Sequence, residues 1–127
     1  MSSERRFSPR VLTDLHVEVI NARGERNNAR LCNLSLGGLL LRGDANLQQL
    51  TRQQQTTPGS SFAPVEVEVR LSLPAGKDNT PVSLTCRHLH TRRVAHDLFE
   101  LGFKILGQKT DSPEALGEFI RGAAVAR

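Results

Sequence analysis

The sequence predicts an all-β chain with a terminal helix, arranged as a six-stranded antiparallel β-barrel followed by a C-terminal α-helix. Three observations lead there. Period-two alternation recurs along the chain, most plainly from Pro64 to Pro74, where Val65, Val67, Val69, Leu71 and Leu73 alternate with Glu66, Glu68, Arg70 and Ser72. Gly, Pro and Asn clusters punctuate these segments. The tail then switches to helical spacing, with Leu116, Phe119, Ile120, Ala123 and Ala124 three to four residues apart or adjacent. Strands gathered before a single helix favour a sheet closed on itself over an alternating βαβ fold.

The first strand runs from Val11 to Ile20, with Leu15, Val17 and Val19 on one face and Asp14, His16 and Glu18 on the other. Asn21-Ala22-Arg23-Gly24 has turn chemistry, and Glu25 to Asn33 returns as the second strand. Gly37-Gly38 breaks the chain before a third strand at Leu39-Leu40-Leu41. From Asp44 to Phe62 the chain is rich in Gln, Thr and Ser and reads as a polar loop with one helical turn around Leu47 and Leu50. Pro64 to Pro74 is the fourth strand, Val82 to His90 the fifth, and Phe99, Leu101, Phe103 and Ile105 mark the sixth. Ser112 can cap the tail helix, with Pro113 in its first turn. Residues 1–127 are expected to form a single domain, with a flexible arm at 1–10, a barrel over 11–106 and a helix over 112–126.

With 38% hydrophobic residues the chain can bury a modest core without metal or disulfide staples. Net charge is +4, and only three of the 17 cations are lysines. Arginine offers a planar fork suited to phosphates and guanine edges, although an arginine-rich coding bias also produces such a composition. Cys32 and Cys86 fall inside apparent strands and far apart. That suggests a reduced, buried pair in a cytoplasmic protein, not a disulfide framework or zinc site. The start lacks a signal peptide's apolar stretch and no run is long enough to span a bilayer, so membrane insertion is not expected.

Two short motifs carry the functional signal. Arg6-Phe7-Ser8-Pro9-Arg10 precedes the first strand, and Asn33-Leu34-Ser35-Leu36-Gly37-Gly38 ends the second. An arginine pair at this spacing is weak alone, since Arg26 and Arg30 repeat it, and Asx or serine turns produce strings like the second motif for local reasons. Their placement is more telling. A turn centred on Ala22 and Arg23 brings Arg10 opposite the Ser35 region, so both motifs share one barrel end.

Together the motifs resemble the RxxxR and (D/N)xSxxG motifs of the PilZ family, and the strand order, the Gly102-Phe103 pair and the terminal helix extend the resemblance over most of the chain. The resemblance implies a bacterial receptor for cyclic di-GMP that changes conformation and regulates an unidentified protein partner, in motility, pili, polysaccharide or virulence pathways. It implies no enzyme and no cofactor beyond the ligand. By position, the ligand residues would be Arg6, Arg10, Asn33, Ser35 and Gly38, with Gly37 or Gly38 permitting close backbone approach. Arg5 is similar to the arginine of members that bind cyclic di-GMP as an intercalated dimer. The chemistry suits such a ligand: arginines pair with phosphates and read guanine edges, Asn33 offers a donor and an acceptor, and Ser35 a hydroxyl.

Two rivals stand beside this reading. One is a PilZ-like adaptor that binds a protein without nucleotide, against which the intact motifs argue. The other is a small basic barrel binding single-stranded nucleic acid, for which five phenylalanines and no Trp or Tyr leave little stacking surface. His88 and His90 fall on one strand face but lack a third metal ligand. His16 and His96 have no evident partners, and Glu66 with Glu68 is most simply a solvated strand face.

Overall fold

The computed structural model describes residues 11–52, 65–75, 78–109 and 114–125. These form six strands, β1 (Val11–Asn21), β2 (Arg26–Leu34), β3 (Gly38–Gly43), β4 (Glu66–Ala75), β5 (Asp78–Ala95) and β6 (Leu98–Lys109). Two helices accompany them, α1 (Ala45–Leu50) and α2 (Ala115–Val125). All six neighbouring pairs are antiparallel and close a barrel in the order β1-β2-β3-β6-β5-β4. The barrel closes through a short seam, where β1 and β4 pair only over Glu18–Asn21 and Val67–Arg70.

The alternation read from the sequence is the core pattern. Val17 and Val19 of β1, Val67, Val69, Leu71 and Leu73 of β4, and Leu101 and Phe103 of β6 are buried and fill the interior. α1 lies at the barrel end near the β1–β2 turn. Asp44 caps it by accepting from the Leu47 N–H at 3.1 Å, and Leu47 packs so closely on Gly43 that a Cβ there would overlap it. α2 packs on β4 and β1 and buries Leu116 and Ile120.

Several boundaries differ from the sequence reading. The β1–β2 turn spans Ala22 to Gly24, one residue longer than counted. The Asn21 side-chain oxygen accepts from the N–H of Arg23 and of Glu25, each at 3.0 Å, while Gly24 takes the left-handed φ of +83°. A bulge between Leu12 and Leu15 offsets that extra residue, so β1 still begins with Val11 opposite Leu34. β5 is far longer than Val82 to His90, and β6 passes Ile105 to Lys109. Bulges interrupt the alternation of both strands, so sequence periodicity understates them. Helix α2 begins at Ala115, later than position 112, and Ser112 and Pro113 lie outside the described residues. So do the arm at 1–10 and residues 53–64 of the polar segment.

The cysteines do not form a buried pair. Cys86 is fully buried and its thiol pKa is pushed up to about 12 by burial, whereas Cys32 sits at a bulge in β2 and is partly exposed.

Candidate functional site

The second motif forms the tight connection between β2 and β3. Ser35 donates its N–H to the Gly38 carbonyl at 2.9 Å and its Oγ to the same oxygen at 3.3 Å, while the Gly38 N–H donates back to Ser35 Oγ at 3.2 Å. One hydroxyl thus serves as donor and acceptor within the turn and leaves Ser35 buried. Gly37 accepts from the Ile105 N–H at 3.0 Å, which ties the turn to β6. A glycine is needed at 38 because a Cβ there would stand 2.9 Å from the Phe103 carbonyl oxygen, a fixed backbone atom.

Asn33, Ser35, Gly37 and Gly38 line one open concavity of about 830 Å³ on the outer barrel face. Its other walls come from β5 and β6: Leu89, His90 and Arg92, then Glu100, Gly102, Phe103 and Lys104. The strand register explains the gathering. Leu12, Asn33, Leu40, Gly102 and His90 face one another in a single cross-strand row through β1, β2, β3, β6 and β5. A parallel row places Arg42, Glu100 and Arg92 side by side.

That second row is an ion-paired triad. Glu100 Oε2 accepts from Arg42 Nε at 2.8 Å and Nη2 at 2.6 Å, and Oε1 accepts from Arg92 Nη2 at 2.6 Å. Glu100 points outward yet is only 7% exposed, because the two guanidinium groups cover it. Hydrogen bonds from Arg42 and Arg92 hold its carboxyl below the usual glutamate range. Arg92 keeps 71% of its side chain exposed and so presents a cation to the concavity. Lys104, opposite Gly38, is exposed and makes no ion pair among the described residues.

The structure brings together four of the seven site residues proposed from the sequence. Arg5, Arg6 and Arg10 lie outside the described residues; Val11, the first described residue, pairs with Leu34, next to Ser35. The repeated arginine pair behaves differently: Arg26 meets Glu18 at 3.5 Å and Arg30 meets Asp14 at 2.6 Å. His90 and Arg92 were not singled out as site residues because bulges in β5 hide which of its side chains face outward, and Lys104 of β6 joins them only through the register that sets it opposite Gly38.

The histidines do not share a face. The extra residue Leu89 puts His88 opposite inward-facing Phe103, at 5.5 Å between ring centroids, and His90 opposite outward-facing Gly102. Burial lowers the His88 pKa. The His96 imidazole does have a neighbour, since its Nδ1 lies 3.4 Å from Arg93 Nη2. No group of three metal-ligating side chains occurs among the described residues. On the far side of the barrel Glu66 meets Arg87 at 3.5 Å, and Glu68 accepts from Arg70 at 2.8 Å, so that strand face carries ion pairs. Among the described residues no helix is long and apolar enough to cross a membrane.

Comparison with known proteins gives the fold its relatives. The chain is similar to the Bacillus subtilis inhibitor of motility MotI/DgrA, at 14% identity and a TM-score of 0.69 over 97% of this chain; it spans 52% of the length of that one. A second similar structure is the PilZ domain with c-di-GMP of YcgR from Escherichia coli, at 19% identity and a TM-score of 0.43, covering 96% of this chain and 93% of that one. No curated protein matches the sequence significantly. The PilZ domain model matches residues 4–122, which takes in both motifs, all six strands and most of α2. With its barrel and motif turn inside that match, and the terminal helix inside it for most of its length, the chain belongs to the PilZ domain family.

Proposed function

We propose that this PilZ domain is a bacterial, cytoplasmic receptor for cyclic di-GMP and not an enzyme. In this reading the ligand sits in the concavity at the Asn33–Gly38 turn, and its binding changes how the domain meets a protein partner. The observation that carries it is the convergence of Asn33, Ser35, Gly37 and Gly38 on one open concavity, with Leu34 between them paired to Val11, the first described residue. Arg6 and Arg10 would clamp phosphate or the O6/N7 edge of guanine from that arm, and Arg5 would help offset the charge of a second, intercalated ligand. Asn33 has no side-chain hydrogen bond to another described residue, which leaves its amide for a base edge. Ser35 and Gly38 act mainly by shaping the turn, since the hydroxyl is already engaged.

The partner belongs to motility, pili, polysaccharide or virulence control, and the similar fold of a B. subtilis inhibitor of motility favours the first. A calorimetric titration with cyclic di-GMP, with GTP and a single-stranded oligonucleotide as controls, tests the reading. Saturable binding of the cyclic dinucleotide alone is expected. Binding of the oligonucleotide with steep salt dependence would favour the nucleic-acid rival, and silence in all three the nucleotide-free adaptor.

A further inference from the structure

We propose that the bulge at Leu89 builds a base-stacking platform, with the His90 imidazole seated on Gly102, for one guanine of the nucleotide bound at the Asn33–Gly38 turn. The inference rests on the receptor reading above. Glu100, Leu101, Gly102 and Phe103 are all buried, although strict alternation would leave Glu100 and Gly102 open on the outer face. Glu100 is covered by arginines. Gly102 is covered by His90, whose ring lies so close that a Cβ on Gly102 would overlap Nε2 and Cε1.

The seat is built by β5. Its extra residue at Leu89 turns two neighbours, Leu89 at 58% exposure and His90, toward solvent at the wall of the concavity. Bulges next to binding sites commonly re-aim a side chain in this way. His88 anchors the bulge from the inner side: its ring packs on Phe103, and its Nε2 lies 2.7 Å from Thr91 Oγ1. Phe103 also borders the concavity but is 2% exposed, so His90 is the flat ring open to a ligand among the residues lining it. A chain without Trp or Tyr needs some such surface if its site is to hold a base by stacking.

The position also fits the rest of the site. His90 and Asn33 occupy the same cross-strand row three strand spacings apart, about 14 Å, so the two ends can meet different parts of one dinucleotide. Arg92 projects from the same strand, held in place by Glu100, and Lys104 stands opposite Gly38. The platform is thus flanked by cations that suit the phosphates.

Calorimetric titration of the full chain with cyclic di-GMP, alongside thermal melts, tests this. His90→Ala should weaken binding roughly five- to hundred-fold, the range seen when a stacking ring is removed, and His90→Phe should restore most of it. Gly102→Ala should weaken binding comparably by pushing the imidazole off its seat, and the His90→Ala/Gly102→Ala double variant should bind no more weakly than His90→Ala alone. Wild-type affinity in His90→Ala, or equal losses in the Ala and Phe variants, would overturn the platform while leaving the receptor reading intact. A wild-type chain that takes up no cyclic di-GMP would overturn both.

Discussion

Ser35 and Gly38 serve the motif by different physical means, and substitution should separate them. Ser35→Ala removes a hydroxyl that both donates and accepts within a buried turn, so a loss of about 1–3 kcal/mol in chemical denaturation is expected, with weaker ligand binding as the turn loosens. Gly38→Ala meets a backbone carbonyl that cannot step aside, and should disturb the β3–β6 pairing outright. The arm arginines should behave oppositely. Arg6→Ala or Arg10→Ala should cost about 2–3 kcal/mol of binding, the scale of a charge-assisted hydrogen bond, with the melting temperature nearly unchanged. Arg26→Ala and Arg30→Ala should leave affinity alone, because those cations are occupied by Glu18 and Asp14. Abolished binding in the second pair and not the first would show that the wrong arginines were chosen. At this scale the sequence named the turn residues as candidate contacts but could not show that the Ser35 hydroxyl is spent inside the turn. That depends on Gly38 folding back over it, a feature of three dimensions and not of spacing.

Among the elements, β4 was legible almost residue for residue because one face of it is apolar without interruption, and the helical turn at Leu47 and Leu50 was legible from spacing. β5 and β6 were not. Each one-residue bulge reverses the alternation beyond it, so His88 and His90, which look like neighbours on one face, are turned to opposite sides. The triad of Arg42, Glu100 and Arg92 was invisible for a related reason: its members sit on three strands, and only the register brings them together. These two features should divide the pH dependence of stability. The His88 pKa is lowered in the fold, chiefly by burial, so the unfolded chain binds the extra proton first. Its contribution is complete above about pH 6.5, the ordinary histidine value, and is lost as pH falls below it. Glu100 is lowered by its arginine hydrogen bonds, so its contribution is present above its unfolded value, near 4.5, and disappears as pH falls through the still lower folded value. Thermal melts should therefore fall in two stages on acidification. His88→Gln should flatten the upper stage and Glu100→Gln should shrink the lower one; an unchanged profile in both variants would contradict the assignment.

For the whole molecule, the closed barrel supplies a rigid frame on which one end of β1 and the β2–β3 turn meet, and the proposed ligand would join the arm to that frame. Charge sets the stoichiometry expected. Two intercalated cyclic di-GMP molecules bring four phosphates together, and Arg5, Arg6 and Arg10 would offset them from one short arm. The wild type should therefore saturate at two nucleotides per chain and Arg5→Ala at one, bound more weakly. Saturation of the wild type at one would remove the role given to Arg5 and leave the receptor standing. The most direct test of the receptor itself is amide hydrogen exchange across the chain with and without cyclic di-GMP. Exchange should slow in two places at once, at Phe7 to Arg10 and at the turn from Ser35 to Gly38, with little change in β4. Exchange that is the same at both places with saturating ligand present would contradict the account.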